Sequence, residues 1–564
     1  MEERRDNHGL REQMECRQKV LWEAQERRAF LIRCQDVVDF IAPHAANLFA
    51  RDESRVDGRW RYVLDTEATY CAEVAVAGHI NYMAPPGGDW LGLLERDPDL
   101  AEDAEVKEWL NKLADRMLRL FEQSNTYDTQ RLLTQDALLF GAGAQIVDED
   151  DLYTLWHHHV QAGEYALAAN HRKQIDTLYR ELTLTVRQCK QRFGEQNLSQ
   201  DTLKLWKQGP KSWDKPVKIY HAIEPREEGQ HAPLDVPQSK LDMPWRSVYW
   251  EADSRKDDGV LSESGYRVFP VLAPRYALIG NGLYGYGPGA MCVSHVKSLQ
   301  HMQHRFGQNV DWQTAPPQLL PENMRGQEGE FRPGGHLFAN MADPNHARPL
   351  AENRTNLQHL RESIDDFRKQ IRRIWNIDAW LMFASIDRAN TTAAEIYQRK
   401  AEKNAILGPQ TARLFNEMLR PLADILFSYM QMRGMLPQPI PHALLTSGAQ
   451  IDPEFRSVLA EAAKSTKVAQ LEQWSSFTAM IGQLDPSVLH VVKTAEIVRE
   501  HADLSGVPAK MLRSKEEVDQ LNQAAAEQQA ALQQSAALEQ ASKTTKNLAQ
   551  SPTDTPSALT AGAG

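Results

Sequence analysis

Apolar residues recur three and four apart along several stretches of this chain, and those stretches predict its helices. Leu10, Met14, Leu21, Leu31, Val38 and Ile41 follow roughly that spacing and Pro43 stands just beyond, so residues 10–41 read as one or two charged amphipathic helices. "DTEATYCAEVAVAGHINYM" (65–83) is stopped by Pro85-Pro86-Gly87-Gly88, and "DAEVKEWLNKLADRMLRLFEQS" (103–124) sets Val106, Leu110, Leu113, Met117 and Leu120 on one face. Val293, Val296, Leu299, Met302, Phe306 and Val310 predict a helix of about 22 residues, a rod of roughly 33 Å. Leu357, Leu360, Ile364, Phe367, Ile371 and Ile374 step by alternating threes and fours, the most regular stripe in the chain. A third long helical stretch, from Thr391 to Arg433, carries Gly408-Pro409, where a missing backbone donor predicts a kink or break. Further helices are expected between Pro453 and Val507.

From Gly141 the pattern changes to short β-branched or aromatic runs broken by Gly, Pro and Asp: "GAGAQIVDED", "LYTLWHHHV", "TLYRELTLTV", "VKIYHAIEP", "WRSVYWEA" and "YRVFPVLAPRYAL". These predict an antiparallel sheet interrupted by one helix at 185–194. A Pro/Gly-rich insert (315–344) separates the two long helical stripes, and the last fifty residues turn Ala/Gln-rich and then Ser/Thr/Pro/Gly-rich. The expected fold class is α+β and mostly α-helical.

Composition adds limits. With 564 residues, 42% of them hydrophobic, the chain has material for two to four packed units. A formal net charge of −12 argues against a broadly basic surface that coats nucleic acid. Cys16, Cys34, Cys71, Cys189 and Cys292 are odd in number and lack a C-x-x-C pair, so the sequence writes neither a zinc site nor a disulfide framework. "MEERRDNHGLREQ" lacks the apolar core of a signal peptide, and no run of about eighteen apolar residues occurs, so synthesis and folding in the cytoplasm are expected.

Candidate chemistry is thin. Gly280-Asn281-Gly282-Leu283-Tyr284-Gly285 has the glycine spacing of a dinucleotide fingerprint. Pro274 shortens the preceding strand, however, no Asp or Glu lies between Gly280 and Asp311, and no βαβ repeat surrounds it. The preferred reading is a glycine turn at Gly285, Gly287, Pro288 and Gly289, with Pro288 near the first position of a helix. His157-His158-His159 cannot easily converge on one metal ion, because neighbours in a strand alternate faces. "DEDD" (148–151) reads as an acidic turn before it reads as a Mg²⁺ site. No G-x-S-x-G, G-x-x-x-x-G-K-[ST] or H-E-x-x-H occurs, so an enzyme has no motif support, and no cofactor or metal is expected. Arg368, Lys369, Arg372 and Arg373 form a basic stripe of i,i+4 pairs, read first as salt bridges on a solvated face and second as phosphate contacts.

Several ordered blocks carry a resemblance over roughly residues 10–520. They include "DTEATYCAEVAVAGHINYMAPPGGDWLGL" (65–93), "FEQSNTYDTQRLLTQDALLFGAGAQIVDED" (121–150), "GYGPGAMCVSHVKSLQHMQ" (285–303), "APPQLLP" and "FRPGGH", "NTTAAEIYQRKAEKNAILGPQTARLFNEMLRPLADILF" (390–427) and "TAEIVREHADLSGVPAKMLRSKEEV" (494–518). With these blocks the chain resembles the portal, or head-to-tail connector, proteins of short-tailed phages. "ALLTSGAQIDPEFRSVLAEAAKS" (443–465) is only loosely similar.

The resemblance implies a portal fold: N-terminal helices and wing (1–289), stem helices (290–313 and 351–376), clip (314–350), tunnel loop (377–392), a long kinked wing helix (393–440), a helical crown (441–515) and a tail (516–564) that forms a helical barrel or stays disordered. It implies a ring of roughly twelve subunits at one capsid vertex, through which double-stranded DNA is packaged and ejected. The implied partners are the large terminase subunit, a tail adaptor, and the scaffolding and major capsid proteins, in the virion and with no membrane. The channel-facing candidates are Arg368, Lys369, Arg372, Arg373 and, in the tunnel loop, Arg388; the hinge candidates include Gly408 and Pro409. The alternatives are a nucleotide-dependent enzyme using Gly280–Gly285 and another tail or adaptor protein of the same virion.

Overall fold

The computed structural model describes residues 7–43, 63–97, 103–227, 239–252, 260–280, 282–314, 356–381, 405–446, 451–455, 470–481 and 494–504, with short pieces besides. The chain divides into two compact units, Met1–Ala101 with Trp109–Ala462, and Glu102–Glu108 with Ala463–Gly564.

The first unit opens with α1 (Asn7–Glu23) and α2 (Gln25–Phe40), split at Ala24. Then come α3 (Glu67–Met83), β1 (Leu91–Glu95), α4 (Ala104–Gln123, of which the part from Trp109 on belongs to this unit) and α5 (Thr126–Leu139). The strands follow as β2 (Ala144–Asp150), β3 (Thr154–Val160), β4 (Tyr165–Ala169) and β5 (Ile175–Thr185). Two short helices, α6 (Val186–Phe193) and α7 (Gln200–Lys207), lead to β6 (Pro216–Pro225), β7 (Trp245–Glu251), β8 (Ser262–Tyr266) and β9 (Val271–Leu272). The sheets are antiparallel, in the orders β4-β5-β6-β7-β8 and β3-β2-β9.

The five-stranded sheet is covered on both faces, which explains why its strands carry apolar residues at odd and even positions alike. On one face Tyr179, Ala222, Val248 and Trp250 pack with Met14 of α1. On the other, Ile219 and Tyr249 pack with Cys189 and Phe193 of α6. A capping box, Thr185 with Gln188, starts α6, and Gly194 ends it at φ 77°. Neither α7 nor β4 was expected. Ser199 caps α7, and the buried Glu251 carboxylate accepts the Ser199 N–H (3.1 Å) and the hydroxyls of Ser199 (2.6 Å) and Thr202 (2.8 Å). That support comes from β7, fifty residues away in sequence, where local periodicity does not reach.

The long stripes become α8 (Pro288–Thr314) and α9 (Leu357–Ile374), followed by α10 (Ile377–Leu381). Trp375 Nε1 donates to Cys292 Sγ (3.3 Å), His295 meets Phe367, and Arg361 lies over Phe306, so the two helices run antiparallel. Between them β10 (Gln318–Leu319) pairs with β11 (Arg348–Pro349) and closes the base of the insert.

The third long stripe departs from expectation. The backbone is α-helical over 405–414, so the chain does not break at Gly408-Pro409. The irregularity comes later, as a π-helical turn at Phe415–Leu419 that passes into α11 (Arg420–Met432). Pro421 has no N–H to give the preceding turn, and a wider turn accommodates the missing bond. Then α12 (His442–Thr446) precedes β12 (Ile451–Phe455), which pairs with β1. The described part of the second unit includes α13 (Thr494–Leu504).

Candidate functional site

The glycine cluster sits where the chain enters α8. Of its glycines only Gly280 is left-handed, at φ 62°. Gly285, Gly287 and Gly289 are required for a different reason from the turn freedom expected of them, namely that each lies directly on the end of α5 or the turn after it. A Cβ on Gly287 would stand 2.7 Å from the Leu138 carbonyl carbon, one on Gly289 2.8 Å from Leu139 Cα, and one on Gly285 against the Gly141 carbonyl oxygen. Two backbones here approach without side chains between them. The Tyr286 N–H donates to Ala277 O (2.7 Å) and Arg33 lies over the Tyr286 ring (4.0 Å), which fixes the entry angle. Gly285, the third glycine of the fingerprint spacing, is thus spent on protein contact, and α8 opens only at Pro288. A pyrophosphate bound at this spacing would need the Gly285 backbone that already packs against Gly141.

The basic stripe of α9 divides in two. Arg368 reaches Asp65 Oδ2 through Nε (3.1 Å) and Nη2 (3.0 Å), and Arg372 Nε reaches Glu67 Oε1 (2.5 Å). Asp65 is buried and also accepts from Gln303 of α8 (2.8 Å), while the Gln300 side chain takes the Leu64 and Asp65 N–H groups (2.7 and 2.9 Å). Two of the four cations therefore clamp the start of α3 onto the α8–α9 hairpin. Lys369 and Arg373 are exposed, and among the described residues Lys369 pairs with the neighbouring Asp366 (3.3 Å). Arg388 lies outside the described residues. The clamp residues Asp65, Glu67, Gln300 and Gln303 had no signal in sequence spacing, since Asp65 and Arg368 are 303 positions apart.

The three histidines of β3 have three separate partners. His157 is buried against Thr126 Oγ1 (2.9 Å) and the Gln145 side chain, and burial, with the neighbouring His158, pushes it down to about 3. His158 pairs with Asp148 (3.3 Å) and His159 with the buried Asp136 (2.9 Å). Burial alone would lower His159, but the hydrogen bond and charge of Asp136 hold it above its ordinary 6.5. A folded value above the unfolded one means that this pair stabilises the fold below about pH 6.5, as long as Asp136, which burial pushes above its ordinary range, remains ionised, and that the contribution is lost as pH rises through the folded value of His159. Thermal midpoints at pH 6 and pH 9 check this. The unmodified protein should lose more of its midpoint over that interval than Asp136→Asn, in which His159 has no carboxylate to hold its charge.

The acidic run belongs partly to β2. Burial would raise Asp148, but His158, Tyr266 and Arg192 hold it below its ordinary range. Glu149 takes Arg433 (2.9 Å) and Lys240 (3.4 Å), and Asp150 accepts the N–H groups of Leu152 and Tyr153 (2.9 and 2.8 Å). Among the described residues no group of His, Cys, Asp or Glu is placed to hold a metal ion, and no helix is long and apolar enough to cross a membrane.

Residues 14–512 match the family model for the bacteriophage head to tail connecting protein. The chain is 32% identical over 537 residues to the probable portal protein of Bordetella phage BPP-1, covering 95% of each. It is 31% identical over 539 residues to the portal protein of Salmonella phage epsilon15, again covering 95% of each. A solved neck of an empty gene transfer agent particle is matched at a TM-score of 0.36 and 10% identity, over 76% of this chain and 90% of that one. A likeness that weak carries no argument.

Proposed function

The chain belongs to the bacteriophage head-to-tail connecting protein family, whose general role is that of the phage portal, an oligomeric ring serving genome packaging, and from that premise we propose how its parts divide the work. About twelve copies form the ring at one capsid vertex. The observation that carries the reading is α8 and α9 running antiparallel with an insert closed at its base by β10 and β11. That arrangement supports α8 and α9 as the stem and 314–350 as the clip, the docking site for the large terminase subunit during packaging and for a tail adaptor afterwards. The role is structural, and the work of translocation is supplied by the partner ATPase. Scaffolding and major capsid proteins are the partners at the outer rim, and the ring, assembled in the host cytoplasm, stays in the virion.

Class averages of the purified protein viewed along its axis should show closed rings with a central hole; particles without a hole sink the reading. Deleting 315–350 should abolish terminase docking, and packaging left untouched would remove the clip assignment.

Within α9, the exposed pair Lys369 and Arg373 is the DNA-facing candidate, while Arg368 and Arg372 hold the subunit together. Lys369→Ala with Arg373→Ala should therefore change DNA retention in filled particles and leave rings intact. Arg368→Ala with Arg372→Ala should lower the thermal midpoint instead. The opposite pattern would reassign the two pairs.

A further inference from the structure

The helical insert between β5 and β6, residues 186–215, carries seven lysines and arginines against three acids, inside a chain whose formal charge is −12. We propose that this insert is a docking surface for the phosphate backbone of duplex nucleic acid, separate from the α9 stripe.

The fold gathers its cations around one pair of tryptophans. The Arg187 N–H donates to Trp213 O (3.0 Å) and the Val186 N–H to Lys215 O (3.1 Å), which brings the start of α6 against the end of the insert. The Trp213 ring stacks on Trp206 (centroids 4.5 Å apart, planes at 11°), and its Nε1 donates to Trp206 O (3.2 Å). Arg187, Lys207, Lys211 and Lys215 thus stand around a rigid aromatic support. All four are exposed and make no ion pair among the described residues. Arg192 differs, because it turns to the Tyr249 hydroxyl (2.8 Å) and belongs to the sheet.

Helix stability does not account for the four. Lys207 in the last turn of α7 does favour the helix dipole. Arg187, however, stands in the first turn of α6, where a cation is unfavourable, and Lys211 and Lys215 lie outside both α-helices. At about 0.1 M salt the Debye length is roughly 10 Å, so a phosphate at this surface responds to the local cations more than to acids elsewhere on the chain.

The chemistry selects a ligand with regular charge and no sequence requirement. Lys190 Nζ lies 4.0 Å over the Trp206 ring and the Trp213 ring stacks on it, so Trp206 is already engaged by a cation and a second indole rather than held open for an unstacked base. Contact falls on phosphates, and binding is independent of sequence and dependent on salt. An acidic polypeptide would need strand pairing or an apolar groove to add to its charge. Next to the insert β5 and β6 pair with each other, from Thr185 with Pro216 to Glu181 with Tyr220, and the insert itself folds as helices and turns with no strand.

The test uses full-length assembled protein and a fluorescent duplex of about 30 base pairs and mixed sequence, with anisotropy read between about 50 and 200 mM salt. Arg187→Gln, Lys207→Gln, Lys211→Gln and Lys215→Gln together should weaken binding at least tenfold at the low-salt end, and should reduce the slope of log K against log salt by about 3 to 4. Lys211→Gln with Lys215→Gln, which touches no α-helix, should reduce it by about 2 and covers the case in which the fourfold variant does not fold. An unchanged affinity and slope overturns the proposal. So does polyglutamate that displaces the duplex as well as unlabelled duplex does at equal charge, an outcome that assigns the surface to an acidic polypeptide. Rings counted in the same samples keep this result distinct from the portal reading, which fails only if the rings are missing.

Discussion

Gly287→Ala is expected to cost more than about 4 kcal/mol, a loss reached by few single substitutions. The added Cβ would sit inside contact distance of the Leu138 carbonyl group and 2.9 Å from Ala137 O. Those atoms belong to the hydrogen-bonded end of α5, so no rotamer change can relieve the clash. Two neighbours calibrate the effect. Gly280→Ala places a side chain at φ 62° in open space and should cost about 1–2 kcal/mol. Gly282→Ala would meet backbone atoms only at 3.4 Å and beyond and should stay within about 0.5 kcal/mol. Urea midpoints followed by tryptophan fluorescence should rank the three as 287, 280, 282, from worst to mildest. A mild Gly287→Ala would mean that the entry to α8 can move away from α5, and that the close packing between them is not needed.

Glu417→Ala is the second large expected effect. Arg275 is buried and holds Glu417 through Nε (3.0 Å), Nη2 (2.7 Å) and its own backbone N–H (2.9 Å), while Nη2 also donates to Lys173 O (3.0 Å). Glu417 stands in the π-helical turn, whose altered register aims it at the sheet side of the molecule. Removing the carboxylate leaves a buried guanidinium without its counter-charge, which should cost about 3–5 kcal/mol. Arg275→Met together with Glu417→Ala should cost less than Glu417→Ala alone, because the stranded charge is then absent. If the double variant is instead worse by the sum of the two singles, the pair is not coupled and the π turn has some other role.

Much of the fold was legible because its helices announce themselves locally. The stripes of α8 and α9, the apolar face of α4 and the helix expected at 185–194 each lie within a few turns of chain, and their physics is complete at that range. The strands β2, β3, β5, β6 and β7 were legible as short β-branched and aromatic runs. What escaped were elements stabilised from afar. The α7 helix is held at its start by Glu251, and the departure from α-helix fell at Phe415–Leu419 although Gly408-Pro409 offered the plainer signal. The basic stripe was visible as a stripe, but its division was not. Arg368 and Arg372 find Asp65 and Glu67 only after α3 has packed beside α9.

The sequence by itself determined the α+β class, the order of long helix, insert and long helix, and the family, because periodicity and ordered blocks are properties of neighbouring residues. Tertiary structure decided what the glycines before α8 are for. Their spacing permits a turn or a phosphate cradle equally well, and only the position of α5 shows that Gly285, Gly287 and Gly289 keep space for another backbone. A spacing constrains which conformations a segment can adopt. The contact that makes one of them necessary comes from residues more than a hundred positions away, and that contact exists only in the folded chain.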